Sequence, residues 1–192
     1  MRLFVAMEIP SEVRDEFAAL INELRAADSS FSKNRARWVR PENLHVTLKF
    51  IGHIEAGRLD AIRAALAGVR SENIIELHFR GLGFFPNDKR PRVFWAGIEA
   101  SPHLVPLANE IDRDMERLDI PRETRAFAPH LTLARFAPPG ISEKLRAAAQ
   151  ENSAREFGML RTGEFHLIES KTRPTGAEYT RLSSFAFAKA EA

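Results

Sequence analysis

The chain has 192 residues, 44% of them apolar and 28% charged, which places it with globular proteins of one domain or two small lobes sharing a core and excludes the disordered class. There is no cysteine, which excludes disulfides, thiol nucleophiles and thiolate metal ligands together and suits a cytoplasmic protein. The net charge is only +2, from 28 basic and 26 acidic residues, so any affinity for a polyanion depends on where the charges sit.

Met1–Ile9 alternates, with Leu3, Val5, Met7 and Ile9 on one face, and reads as a strand. No secretory cleavage region follows it, and no apolar run approaches the ~20 residues that span a bilayer. Pro10-Ser11 opens a helix that Ser11 is expected to cap; Val13, Phe17, Leu20, Ile21 and Leu24 form its apolar stripe, and it fades near Asp28-Ser29-Ser30. Arg37-Trp38-Val39 reads as a short strand and Pro41-Glu42-Asn43 as a turn. A strand over Leu44–Gly52 follows, then a helix on Leu59, Ile62, Leu66 and Val69. Ile74–Phe85 is expected to be a strand with a bulge at Gly81 or Gly83, paired as a hairpin with Arg92–Ile98 across Pro86-Asn87-Asp88. Ser101-Pro102 marks a helix start, with Leu104, Leu107, Ile111, Met115 and Leu118 as the buried stripe. A strand over His130–Phe136 ends before Pro138-Pro139-Gly140, and Ser142 starts a short helix to about Gln150. Strands over Gly163–Thr172 and Glu178–Ala188, turning at Pro174-Thr175-Gly176, close the chain.

Two of these strands carry nearly the same words. His45-Val46-Thr47-Leu48 and His130-Leu131-Thr132-Leu133 both read His-apolar-Thr-Leu. Side chains alternate across a strand, so each histidine shares a face with its threonine while the apolar residues face a core. A lone His-x-Thr strand is more often structural than catalytic. Two copies with the same polar pair against the same apolar partners favour function over coincidence. The halves also share an order of motif strand, helix, then a strand about 30 residues after the histidine, a weak internal repeat.

Two imidazoles with an ordinary pKa of ~6.5 allow one ring to accept a proton while the other donates one, as in-line displacement at phosphorus requires. The threonine hydroxyls can donate to the non-bridging oxygens as charge gathers there. Zinc is the competing chemistry, but neither motif brings a carboxylate or second histidine at ligand spacing. No glycine-rich nucleotide fingerprint is present. His53, His78, His103 and His166 read as structural or surface residues. Lys49 shares the parity of His45 and Thr47, so a regular strand aims it at the pocket; Arg135 reaches a phosphate only if its strand ends or bulges around Ala134. Basic clusters at Lys33, Arg35, Arg37 and Arg40, at Lys89, Arg90 and Arg92, and at Lys171 and Arg173 suggest a phosphate-bearing partner.

His45–Gly52 and His130–Arg135, with Arg37–Leu44, Arg92–Gly97 and Arg2–Ala6 around them, resemble the paired motifs of the two-histidine (2H) phosphoesterases, most of all the bacterial and archaeal RNA 2′,3′-cyclic phosphodiesterases, also described as 2′-5′ RNA ligases. The resemblance implies an α/β (α+β) fold: one bilobal domain over residues 1–192, its pseudo-twofold duplicated lobes each carrying one motif, with antiparallel sheets lining a central cleft and helices outside. It implies hydrolysis of terminal RNA 2′,3′-cyclic phosphates to 2′-phosphate and 3′-hydroxyl ends, with reversible ATP-independent 2′-5′ joining as a secondary activity. His45 is then the proton donor to the 3′ oxygen and His130 the proton acceptor from water. Thr47, Thr132 and Arg135 hold the phosphate, which moves Arg135 ahead of Lys49. No cofactor or metal is implied; the partners are RNA ends such as tRNA fragments, with no membrane, and the chain is expected to act as a cytoplasmic monomer. The alternatives are hydrolysis of small cyclic phosphates, such as mononucleotide or ADP-ribose forms, and a non-catalytic RNA- or nucleotide-binding module.

Overall fold

The computed structural model describes residues 1–27, 36–71, 73–137, 141–174 and 176–187. Lys33 and Arg35, the Pro138–Gly140 break, the Asp28–Ser30 helix end, Thr175 and the last residue of the expected closing strand lie outside them.

Among the described residues the strands join into one antiparallel sheet. β1 (Arg2–Glu8) lies between β3 (His45–His53) and β8 (Glu164–Arg173), and β9 (Gly176–Ala186) pairs with β8 at the edge. β5 (Val93–Ala100) lies between β6 (His130–Phe136) and β4 (Ile75–Phe85), and β7 (Glu156–Thr162) pairs with β4 at the other edge. The order β7-β4-β5-β6-β3-β1-β8-β9 is therefore two four-stranded halves related by a pseudo-twofold between β6 and β3. A ninth strand, β2 (Ala36–Trp38), pairs with the far end of β6. This is the duplicated, mixed α and antiparallel β architecture expected from the motifs.

Among the described residues four α-helices cover the core face. α1 (Ser11–Ala27) buries Val13, Phe17, Leu20, Ile21 and Leu24; its Phe17 ring stacks against Phe157 of β7 at 4.7 Å. α2 (Leu59–Gly68) buries Ile62 and Leu66, and α3 (Leu104–Glu116) buries Leu104, Leu107, Ile111 and Met115. α4 (Glu143–Glu151) starts as expected from Ser142, whose hydroxyl accepts from the Leu145 amide. The other two serines do not cap. Ser11 is already the first residue of α1, and α3 begins two residues after Pro102, because the Ser101 hydroxyl accepts from the Glu76 amide in β4 instead.

Irregular backbone and sheet order shape the rest. Gly81, with φ of +71°, bulges β4 as expected, and a Cβ there would lie 2.5 Å from the Ser153 carbonyl oxygen. β7 is a strand that periodicity does not reveal, because Gly158, with φ of +109°, breaks its period-2 pattern and leaves Phe157 and Leu160 as the buried residues. β1 is buried on both faces: Phe4 and Ala6 pack with Ile168 and Tyr179 on the side away from the helices.

Lys49 departs from its expected place. It does not face the pocket; it is 1% exposed and sits on the helix side of the sheet. Its ammonium donates to Asp112 Oδ1 of α3 at 2.5 Å and to the Pro121 carbonyl at 2.6 Å. Asp112 also accepts from the Arg122 guanidinium and the Glu123 amide, both at 3.2 Å. This network ties the connection after α3, which leads into His130, to the strand that begins with His45. Burial works against the Asp112 carboxylate, but Lys49, Arg122 and the Glu123 amide outweigh it and hold its pKa below the ordinary value.

Lys49→Ala leaves the Asp112 charge without its main partner and is expected to cost ~3–5 kcal/mol in denaturant unfolding. The paired change Lys49→Met with Asp112→Leu is expected to recover most of it. Because the carboxylate is the favoured form in the fold, its contribution is present near neutrality and fades as pH falls through the carboxylate range.

Candidate active site

The two halves meet through one backbone pairing, Val46 against Leu131. An antiparallel register fixed there sets His45 across from Thr132 and Thr47 across from His130, all four on the side away from the helices. Val46, Leu48, Leu131 and Leu133 are buried on the other side. The structure thus brings together the two expected histidines and the two expected threonines. Neither threonine hydroxyl has a hydrogen-bond partner among the described residues.

Each motif strand bulges at the same place. Against β1, Thr47 pairs with Ala6 and Lys49 with Val5, leaving Leu48 as the extra residue. Against β5, Thr132 pairs with Trp95 and Ala134 with Phe94, leaving Leu133 as the extra residue. An extra residue reverses the parity of everything after it. That turns Lys49 and Ala134 into the core and swings the next residues, Phe50 and Arg135, onto the face of the histidines. Arg135 therefore reaches the cleft by the bulge on which its role depended, and its charge acts on both imidazoles. Phe50 holds the matching place in the first motif and is 50% exposed.

The histidines are oriented alike. His45 Nδ1 lies 2.7 Å from the Asn43 carbonyl, and His130 Nδ1 lies 2.8 Å from the Ala128 carbonyl, each two residues upstream. A carbonyl can only accept, so Nδ1 carries the hydrogen and Nε2 is left to exchange protons in the cleft. Asn43 is itself held, its side-chain amide donating to the Ala177 carbonyl of β9 at 2.8 Å. Aromatic rings pack against each imidazole: Phe4 at 4.7 Å and Tyr179 at 5.3 Å on His45, Phe85 at 5.0 Å on His130. Trp95 lies against Phe85, its indole flat over Gly83, where a Cβ would come within 2.4 Å of the ring. Burial is the main cause that pushes both histidine pKa values below the ordinary value; the Nδ1 hydrogen bonds oppose it and Arg135 adds to it. Burial also raises the Tyr179 phenol, against the pull of Arg135 and Arg2.

Sequence reasoning missed Phe4, Phe50, Phe85, Trp95 and Tyr179 as cleft residues. Phe50 had the wrong parity for a regular strand. Tyr179 reaches His45 only because β8 returns beside β1, a pairing across about 160 positions that no local pattern carries. His53 and His78 are exposed, His103 precedes α3, and His166 is buried with Nδ1 3.0 Å from the Ser184 hydroxyl. Among the described residues no three His, Asp or Glu side chains gather as a metal site.

A pseudo-twofold sheet that sets two His/Thr pairs across one seam defines the two-histidine phosphoesterase class. Known proteins narrow this. The family model described as LigT like Phosphoesterase matches residues 7–95 and 98–179. A Methanothermobacter thermautotrophicus protein named RNA 2′,3′-cyclic phosphodiesterase is 32% identical over 186 residues, covering 96% of this chain and 98% of the relative. A Thermus thermophilus protein of the same name is 34% identical over 195 residues, covering 96% and 89%. A crystal structure of a Thermus thermophilus protein superposes with a TM-score of 0.78 at 30% identity, covering all of both chains. That of E. coli LigT complexed with 3′-AMP superposes with a TM-score of 0.74 at 27% identity, covering 98% of each. The chain belongs to the LigT-like phosphoesterase family.

In the ligand-free protein both imidazoles are expected to titrate below pH 6.5, followed by the ring proton resonances in NMR. Arg135→Ala removes a cation that lowers both and is expected to move both titrations upward. A motif histidine titrating above the ordinary value would contradict the burial described.

Proposed function

We propose that this protein hydrolyses 2′,3′-cyclic phosphate ends of RNA to a 2′-phosphate and a 3′-hydroxyl. The observation that carries the reading is the shared pinning of both Nδ1 atoms, which leaves two Nε2 atoms on adjacent strands with a threonine hydroxyl beside each. The names of the relatives and the 3′-AMP bound by E. coli LigT support a nucleotide substrate.

In the step proposed, His130 Nε2 takes a proton from water as the water oxygen bonds to phosphorus. The P–O3′ bond breaks as His45 Nε2 gives its proton to O3′. Water oxygen enters, the 3′ oxygen leaves, and one proton is taken up for one released. Thr47, Thr132 and Arg135 neutralise the non-bridging oxygens, where charge builds in the transition state. The lowered pKa values favour a neutral His130 as base, and the bound phosphate anion favours the protonated form of His45. No metal enters this scheme, since acid, base and charge stabilisation all come from side chains. Replacing water by a 5′-hydroxyl in the same place gives a 2′-5′ diester, so joining is the same chemistry with another nucleophile.

The chain acts, on this reading, as one bilobal domain and as a monomer, with one motif from each half. RNA fragments such as those of tRNA are the substrates, met in the cytoplasm. Among the described residues no helix is long and apolar enough to cross a membrane.

His45→Ala and His130→Ala are each expected to lose ~10²–10⁴-fold in turnover of a cyclic-ended oligonucleotide while still binding it. Turnover by the parent is expected to persist in EDTA, with the product carrying its phosphate on the 2′ oxygen. Undiminished turnover in either variant would overturn the acid–base assignment; binding without turnover by the parent would make the chain a binding module.

A further inference from the structure

Arg37 is the middle residue of β2, and its Cα partner in β6 is Arg135. Directly opposed residues in an antiparallel pair project from the same face, about 4.5–5.5 Å apart. Arg37 is exposed on the histidine side, while its neighbour Trp38 packs edge-on to Phe94 at 6.1 Å in the core. The Val39 amide donates to the Leu133 carbonyl at the bulge, so the short strand is anchored where Arg135 is turned outward.

Two like charges opposed across a sheet destabilise it, and no carboxylate relieves this pair among the described residues. In the basic cluster of β8 the cations are paired instead, Lys171 with Glu169 at 3.2 Å and Arg173 with Glu178 at 2.8 Å. The charge of Arg135 acts on both imidazoles. Arg37 stands one strand beyond Arg135, on the side of β6 away from β5. The exposed turn before Val93, which pairs with Arg135 on its other side, carries Lys89, Arg90 and Arg92 at the same end of the sheet.

We propose that Arg37 binds a second phosphate of the substrate, the 5′ phosphate of the terminal nucleotide, while Arg135 binds the cyclic one. A 3′-terminal nucleotide with a cyclic phosphate has only one other phosphate, the 5′ diester joining it to the strand. Recognising it distinguishes an RNA end from a cyclic mononucleoside phosphate. The assignment rests on the cyclic-phosphodiesterase reading.

The test uses three substrates with one terminal nucleoside: the 2′,3′-cyclic phosphate with a free 5′-hydroxyl, the same with a 5′-phosphate, and a cyclic-ended oligonucleotide. Arg37→Ala is expected to lower kcat/KM on the two 5′-phosphorylated substrates by about tenfold or more, through KM. It is expected to leave the 5′-hydroxyl substrate unchanged, and Arg37→Lys is expected to restore part of the loss. The slope of log affinity against log salt for the oligonucleotide should fall by about 0.7. An equal loss on all three substrates, or none on any, overturns the proposal. If the parent turns over none of them, the hydrolytic reading fails, and the second site is read by calorimetry with adenosine 3′,5′-bisphosphate and 3′-AMP. A preference for the bisphosphate that Arg37→Ala abolishes supports the site, and its absence in the parent overturns it.

Discussion

The geometry of the cleft depends on one strand pairing. Val46 against Leu131 is where the two half-sheets meet, and every cross-cleft relation of His45, Thr47, His130 and Thr132 follows from that register. A slip of one residue would turn each His/Thr face into the core and expose the leucines, so burial of the apolar faces enforces the alignment of the two His/Thr pairs. The pairing is short, and other contacts hold its surroundings. Lys49 and Asp112 anchor the approach to His130, and Asn43, tied to β9, fixes the carbonyl that orients His45. Stability and alignment are served by the same residues here.

The bulges at Leu48 and Leu133 explain how a polar pocket and a tight core coexist on strands so short. Without them Arg135 would point at the helices, and Lys49 would place its ammonium in the cleft. With them, Lys49 joins a buried ion pair and Arg135 brings its guanidinium to the face of the histidines. The same bulge anchors β2, since the Val39 amide just after that strand donates to the carbonyl of the bulged Leu133. A local irregularity in the ladder therefore sets charge, orientation and strand pairing together.

Much of this is legible in the amino-acid sequence. The His-apolar-Thr-Leu words are local, their parity is decided within four residues, and most helices and strands fall where periodicity places them. What escaped was set at longer range or by irregular backbone. Leu48-Lys49 and Leu133-Ala134 look like regular strand, so the inward turn of Lys49 contradicted its parity. Gly158 hid β7 by breaking alternation. Ser11 and Ser101 carry capping side chains, but Ser101 is recruited by the amide of Glu76 at the start of β4. Tyr179 and Phe4 meet His45 through sheet order alone.

The backbone of the cleft is nearly two-fold, but positions five residues after each histidine carry different chemistry: an exposed phenyl ring at Phe50 and a guanidinium at Arg135. A ligand with one anionic end and one flat, uncharged end meets a surface that is not the same when turned half a revolution. Duplication by itself would have left two equivalent ways to sit in the groove. The difference between Phe50 and Arg135 gives the groove a direction that the duplicated backbone alone would not.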